Sequence, residues 1–195
     1  MPRREFVSLL MRLFLVFLIS FFAFSSKAQT AFTIKLKATD GKVYDLSELK
    51  KNKASVLVFL SPECPICQKY TLTINQIQQD FSLQGVAFYG IVPGKNFKNK
   101  TINKFAKDYG LSMPILLDPD YVLTKSVGAT VTPEVILFNP DGIMQYAGKV
   151  DNWYEGIGSR RTVITEFYLK DAITNMLAGS PINVKRTIPV GCFIF

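Results

Sequence analysis

The pattern of apolar and polar positions is clearest in the first half of the chain. Val56–Leu60 is a continuous apolar run with the length of a strand that is buried on both faces. After a short polar stretch, apolar residues recur at the spacing of one helix face, at positions 66, 70, 74, 77 and 81. The sequence therefore predicts a buried strand followed by an amphipathic helix, with Cys64-Pro65-Ile66-Cys67 at the junction.

The rest of the chain alternates between short strands and helices. Hydrophobic periodicity and turn residues predict a hairpin at 32–44, a helical turn at 46–49, strands at 86–92 and 114–118, a helix between 95 and 107, a hairpin at 135–150, a loop at 151–161 and a helix at 163–177. We expect this last helix to turn Ile164, Phe167 and Ile173 inward. The order predicts an α/β fold with a central mixed sheet flanked by helices.

The first 28 residues have the composition of a secretory signal peptide. Arg3, Arg4 and Arg12 precede an apolar core, Leu13–Phe24, and small residues stand at the −3 and −1 positions of a cleavage site after Ala28. An uncleaved membrane anchor is the alternative. The predicted division is a signal peptide at 1–28, one domain at 29–180 and a C-terminal tail at 181–195, with an extracytoplasmic or periplasmic location.

Removal of this segment lowers the formal net charge from +8 to +5. The remaining chain has no Lys/Arg-rich run with interleaved aromatic residues, so the sequence does not indicate nucleic-acid binding. Its three cysteines are too few for a disulfide scaffold, and a closed zinc site is disfavoured because the chain has no histidine.

The chemistry of the motif follows from its position. The first N–H groups of a helix have no internal partner, and the helix dipole is positive there. A cysteine at that position, in a Cys-X-X-Cys motif, has its pKa lowered to roughly 3.5–7.5 from about 8.5. Cys64 is therefore the predicted nucleophile, and Cys67 is the predicted second thiol. A static Cys64–Cys67 disulfide and half of a zinc site are the alternatives.

Two segments carry a resemblance to a known family. VLVFLSPECPIC and, later, VTPEVILFNPDG resemble the thioredoxin-fold redoxins of the AhpC/TSA and TlpA-like group over about residues 32–150. The resemblance implies a thioredoxin-like fold with an added N-terminal hairpin, thiol–disulfide exchange, and a cis peptide bond at Thr132-Pro133 beside the cysteine pair. An ordinary trans proline at a strand start is the alternative.

The expected mechanism assigns attack to Cys64 and resolution of the mixed disulfide to Cys67. We expect Cys64 to be the more exposed sulfur, because it precedes the helix. Many thioredoxins have a buried Asp where this chain has Val58, and Glu63 replaces their usual Trp. Glu63 and Glu134 are therefore the substitute candidates for a proton acceptor. The expected partners are client protein thiols or disulfides and a membrane-linked or periplasmic electron donor, with no cofactor.

The apolar tail contains the third cysteine. We expect the tail to add along the domain or to meet another chain, and Cys192 to be a small apolar residue or a third redox or metal-binding thiol. If the tail folds back, Cys64, Cys67 and Cys192 could hold Cu(I), which favours thiolates. A peroxidase is disfavoured because Leu57 stands where its motif has proline, and a non-catalytic binding module is the remaining alternative.

Overall fold

The computed structural model describes residues 33–195 of the chain. In chain order the elements are β1 (Lys35–Ala38), β2 (Val43–Asp45), a 3-10 helix (Leu46–Lys51), β3 (Ala54–Phe59), α1 (Pro65–Ser82), β4 (Val86–Pro93), α2 (Asn99–Asp108), β5 (Ile115–Asp118), α3 (Val122–Val127), β6 (Val131–Thr132), β7 (Glu134–Phe138), β8 (Met144–Gly148), β9 (Tyr154–Gly156), β10 (Ser159–Arg160), α4 (Tyr168–Leu177) and β11 (Cys192–Phe193). The signal peptide predicted at 1–28 lies outside the described residues.

Seven strands form one mixed sheet in the order β2-β1-β5-β4-β3-β7-β8. The apolar strand β3 lies near its centre, parallel to β4 and antiparallel to β7, and all six of its residues are buried. Because β7 runs opposite to β3, the end of β3 and the start of β7 meet at one edge, where Phe59 pairs with Glu134. The Cys-Pro-Ile-Cys turn and the loop before β7 are thereby brought together.

The sheet divides the core into two layers because successive strand residues point to opposite faces. Val56 and Val58 pack on the face covered by α1, α2 and α4. Leu57 and Phe59 pack on the other face, against the 3-10 helix and α3. The predicted α/β fold with a mixed sheet between helices is confirmed, and the helix-face positions of α1 are all buried.

Two segments near the C-terminus differ from the prediction. The last helix begins at Tyr168 rather than Val163, so Phe167 is exposed and Ile164 is only partly buried. The reason is the buried Asn152, whose side-chain oxygen accepts backbone N–H groups of Thr165 (3.0 Å) and Glu166 (3.2 Å) and so holds that stretch outside the helix. The loop predicted at 151–161 contains the short β9–β10 hairpin.

The tail runs back along the domain. The backbone of Thr187 donates to Ala147 of β8 at 3.0 Å, and further on β11 pairs with β6 in a separate two-stranded sheet. Gly148 permits the first contact, since a Cβ there would lie 2.2 Å from Thr187 Oγ1. Within residues 33–195, no helix combines the length and the apolar character that a membrane span requires.

Candidate active site

Cys64 lies at the start of α1, as predicted. It is the N-cap residue, with extended backbone angles, and Pro65 occupies the first helical turn, where a missing N–H leaves no hydrogen bond unmade. Its carbonyl accepts the Gln68 N–H at 3.1 Å and so begins the helical ladder. The Cys64 side chain makes no capping hydrogen bond to the backbone of the helix.

Cys67 lies one turn into the helix and is fully buried. Its sulfur accepts the Ser61 N–H at 3.5 Å, from the loop that connects β3 to α1. This backbone donor is one that the sequence pattern does not reveal, because any residue at position 61 could supply it. The loop therefore orients the second sulfur, while the helix start orients the first.

The loop before β7 contacts the first sulfur. The Thr132–Pro133 bond is cis, as the resemblance implied. In its thiol form Cys64 donates to the Thr132 carbonyl at 3.1 Å. Four of the predicted site residues, Cys64, Cys67, Thr132 and Pro133, therefore lie at the same edge of the sheet.

The C-terminal tail covers the site. Cys192 pairs with Thr132 and Phe193 with Val131 in antiparallel register, and the sulfur of Cys192 lies 2.7 Å from that of Cys64. This contact explains why Cys64, predicted to be the more exposed of the two motif sulfurs, differs so little from Cys67, which is 0% accessible. Only 1% of Cys64 is accessible, because the tail covers the position that the helix start would otherwise leave open.

The three thiols have different pKa values. The hydrogen bond with Cys67, and then the one from Cys192, lower the pKa of Cys64 from 9.0 to about 5, while burial opposes this change. Burial, followed by the hydrogen bond and the charge of Cys64, raises the pKa of Cys67. The same causes raise the pKa of Cys192 to about 12. One ionised sulfur is thus stabilised by two protonated neighbours.

The two carboxylates predicted as proton acceptors are occupied elsewhere or exposed. The buried Glu134 accepts the Thr130 N–H at 2.8 Å and the Val131 N–H at 3.4 Å, so its carboxylate secures the backbone that leads into β6. The side chain of Glu63 is exposed, and the pKa of Cys64 is set by the neighbouring thiols and by burial. The geometry therefore gives Glu134 a positioning role.

A buried polar pair that the sequence did not indicate lies beside the site. Tyr70, on the inner face of α1, donates to Asp151 at 2.6 Å, and Trp153 packs edge-on against Tyr70 with ring centroids 5.4 Å apart. Tyr70 and Pro133 line the same small cavity next to Val190. The sequence contains one sign of this pair. Tyr70 lies on the predicted inner face of the helix, and a buried tyrosine hydroxyl needs a hydrogen-bond partner.

The alternative Cu(I) site would be formed by Cys64, Cys67 and Cys192, and the tail brings the sulfur of Cys192 to 2.7 Å from that of Cys64. In the part of the chain that the structure describes, no group of three or more Cys, Asp or Glu side chains is arranged to hold a metal ion. All three cysteines are free. Binding of Cu(I) by the three thiols therefore stays a prediction.

Comparison with known proteins agrees with this geometry. The sequence model of the Redoxin family matches residues 25–156. The thiol-disulfide oxidoreductase ResA of Bacillus subtilis is 30% identical over 118 residues, which cover 60% of this chain and 64% of that protein. A solved structure of an uncharacterized conserved protein from Geobacillus kaustophilus is 25% identical with a TM-score of 0.74, over 85% of this chain and 89% of that one. A secreted Mycobacterium tuberculosis disulfide oxidoreductase shares the fold, with 18% identity and a TM-score of 0.57 over 77% of this chain and 98% of that one. Because the family match covers more than half of its length, the chain belongs to the Redoxin family.

Proposed function

We propose that this protein is an exported thiol–disulfide oxidoreductase that exchanges disulfides with client proteins through Cys64 and Cys67. The observation that carries the proposal is the position of the Cys64 sulfur. It lies at the N-terminus of α1, with a pKa lowered by the Cys67 thiol, and Cys67 follows one turn later. The similarity to ResA, whose name states this activity, supports the same reaction class.

The proposed reaction begins with the Cys64 thiolate. It attacks one sulfur of a client disulfide, so that a mixed disulfide forms and the first client sulfur leaves as a thiolate that takes up a proton. Cys67 then loses its proton and attacks the Cys64 sulfur. The second client thiolate leaves, and Cys64 and Cys67 remain joined by a disulfide. The opposite pKa changes of the two thiols support this order, since the sulfur that attacks first is the one ionised at neutral pH.

Thr132 and Pro133 have the proposed role of holding the client. The Thr132 carbonyl lies 3.1 Å from the Cys64 sulfur, and the β6 backbone at this position pairs with an extended segment of the chain's own tail. An extended client segment would pair with the same edge and present its cysteine to Cys64. Glu134 would act through this edge, because its carboxylate binds the backbone N–H groups of Thr130 and Val131.

Export is part of the proposal and rests on residues 1–28, with their basic start, apolar core and small residues before position 29. In an oxidising compartment the cysteine pair would exchange electrons with a membrane-linked or periplasmic donor. We expect the protein recovered from the producing cell to begin at Gln29, as determined by N-terminal sequencing. A chain that retains Met1–Ala28 would instead support the membrane-anchor alternative.

The exchange reaction is tested by insulin reduction with dithiothreitol as the electron source. The experiment is best done in a Cys192→Ser protein, so that the two motif cysteines are the only thiols in the chain. Cys64→Ser should lower the catalysed rate to the level of dithiothreitol alone. Reduced Cys67→Ser protein, freed of dithiothreitol before insulin is added, should instead accumulate a mixed disulfide with insulin, because Cys64 still attacks and no second thiol is present to resolve the product.

The pair of variants separates the two roles. A Cys64→Ser protein that still reduces insulin at the parent rate would contradict the proposal. So would a mixed disulfide that accumulates in Cys64→Ser and not in Cys67→Ser. A structural disulfide would show itself by resisting dithiothreitol under conditions that reduce an exchanging pair.

A further inference from the structure

The end of the chain lies where a client segment would bind. The strand β11 adds to β6 with Cys192 opposite Thr132, and beyond it the Ile194 N–H donates to the Thr130 carbonyl at 3.0 Å. Phe195 packs against Tyr121 with ring centroids 5.1 Å apart. An extended segment, held mainly through its backbone on a short strand edge, is the arrangement by which proteins bind extended peptides.

The segment presents a cysteine to the attacking sulfur. The Cys192 thiol donates to Cys64 Sγ across 2.7 Å. The Cys64 sulfur in turn contacts the carbonyl oxygen of Thr132, the residue of β6 that pairs with Cys192. Cys64 and Cys192 are 128 positions apart in sequence, so their contact is made by the fold and not by a local turn. Cys192 is therefore placed as the cysteine of a bound client would be.

Gly191 makes the close approach to this edge sterically allowed. A Cβ at position 191 would lie 2.1 Å from the Thr132 carbonyl oxygen and 3.1 Å from the Pro133 nitrogen. These neighbours are backbone atoms and cannot move aside as a flexible side chain would. Any residue other than glycine would push Cys192 away from Cys64. A glycine directly before Cys192 therefore allows the tail to lie against the β6 edge.

We propose that Cys192 is a third redox-active cysteine and that the tail is a tethered substrate, which forms a disulfide with Cys64 and competes with clients for the β6 edge. This inference rests on the proposed exchange activity of Cys64 and Cys67. It goes beyond that activity because it assigns a thiol outside the motif and a competing occupant of the client site.

The proposed step is an intramolecular exchange that balances without any other reagent. In the oxidised protein the Cys192 thiolate attacks the Cys64 sulfur, the Cys64–Cys67 bond breaks and the Cys64–Cys192 bond forms. Cys67 leaves as a thiolate and takes up the proton that Cys192 released. No electrons are gained or lost, and the attack of Cys67 on Cys64 reverses the step.

Binding of the tail to the β6 edge should slow the reaction with clients. A tethered segment competes at an effective concentration in the millimolar range, well above the concentration of most clients. If the tail is docked for about 90% of the time, the apparent affinity for a client falls about tenfold. Release of the tail should raise the rate of client reduction by a similar factor at low client concentration.

The disulfide is tested in a Cys67→Ser protein that is treated with oxidised glutathione as the oxidant. The expected product is a monomer in which peptide mass spectrometry finds Cys64 linked to Cys192. The matched pair of variants adds either Gly191→Ala or Gly156→Ala, since a Cβ at Gly156 meets no atom within 4 Å. We expect Gly191→Ala to lower the yield of the internal disulfide at least about fivefold, while Gly156→Ala leaves it unchanged. Glutathione adducts on Cys64 and Cys192 in place of the internal link would overturn the inference.

Competition with clients is tested by the insulin-reduction rate of the otherwise native chain. Gly191→Ala should raise kcat/KM about tenfold relative to Gly156→Ala. Deletion of residues 191–195 should have the same effect and provides a second variant if Gly191→Ala folds poorly. An unchanged kcat/KM in both would overturn the tethered-substrate assignment. Failure of the native chain and of every tail variant to reduce insulin would instead overturn the proposed oxidoreductase activity, and the glutathione experiment distinguishes that result because it does not depend on insulin.

Discussion

The lowered pKa of Cys64 is the property that the structure connects most directly to chemistry, and it can be perturbed through Cys67. The largest cause of the low value, about 5 against 9.0, is the hydrogen bond with the Cys67 thiol. Cys67→Ala removes this donor, whereas Cys67→Ser retains a hydroxyl at the same place. We expect the pKa of Cys64 to rise in the order native chain, Cys67→Ser, Cys67→Ala.

The magnitude follows from the strength of such hydrogen bonds. A hydrogen bond to a charged group contributes about 1.5–3 kcal/mol. Since one pKa unit corresponds to about 1.4 kcal/mol, the loss of one donor should raise the pKa of Cys64 by about 1–2. The thiols of Cys67 and Cys192 together give a lowering of about 2–4 pKa units, and the backbone N–H groups of the same two residues lower the pKa further, against the opposing effect of burial. Cys192→Ser should leave the value closer to that of the native chain, because the hydrogen bond with Cys67 is the larger cause.

The assay should follow the ultraviolet absorbance of the thiolate during a pH titration of the reduced protein. An alkylation rate at neutral pH is a poor substitute, because a thiolate of lower pKa is also a weaker nucleophile, so the rate combines the ionised fraction with the nucleophilicity and does not report the pKa alone. The tail also covers the sulfur, whereas absorbance requires no access. Cys64→Ser is the control, and it should lack the ionisation step near pH 5.

Two results would refute this reasoning. One is a titration midpoint in the native chain near 8.5, the value of an ordinary cysteine. The other is an equal midpoint in Cys67→Ala and in the native chain, which would show that the helix start and not the neighbouring thiol determines the pKa.

Three further predictions concern stability and are measured by urea unfolding. Glu134→Ala should lower the free energy of unfolding by about 1–3 kcal/mol, because it removes the carboxylate that accepts the Thr130 N–H at 2.8 Å and the buried Val131 N–H at 3.4 Å, and an effect below about 0.5 kcal/mol would contradict this role. Tyr70→Phe removes the hydroxyl that donates to Asp151, and it should destabilise the protein more at neutral pH than below pH 4. Burial raises the pKa of Asp151, and the loss of a hydrogen-bond donor costs more when the buried carboxyl group is ionised than when it is protonated. A destabilisation that does not change with pH would contradict this role of the pair. Because the folded-state pKa of Cys64 is lowered, its contribution to the stability of the reduced protein should be lost as the pH falls from about 8.5 to 5, so that the difference from Cys64→Ser decreases over this range; a constant difference would argue against an ionised sulfur.

Local patterns predicted the centre of the fold well, because the apolar residues that form the pattern there are the same residues that pack in the core. The apolar run became the fully buried β3, and the helix-face spacing became the inner face of α1. The position of Cys64 at a helix start follows from the same two patterns. The last helix was predicted five residues too long, because the periodicity of Val163–Leu177 contains no sign of the buried Asn152 that binds the 165–166 backbone.

The sequence by itself determined which two cysteines stand at the helix start and that the chain forms an α/β sheet around them, since these properties depend on spacing within a few residues. Only the tertiary structure decided that Cys64 is covered, that Glu134 binds backbone N–H groups, and that Cys192 contacts Cys64. The physical reason is that these contacts depend on where distant strands end. An apolar tail tends to leave water because of its composition. Its position, however, is determined by pairing with β6 and by the close approach to the Thr132 backbone that Gly191 allows.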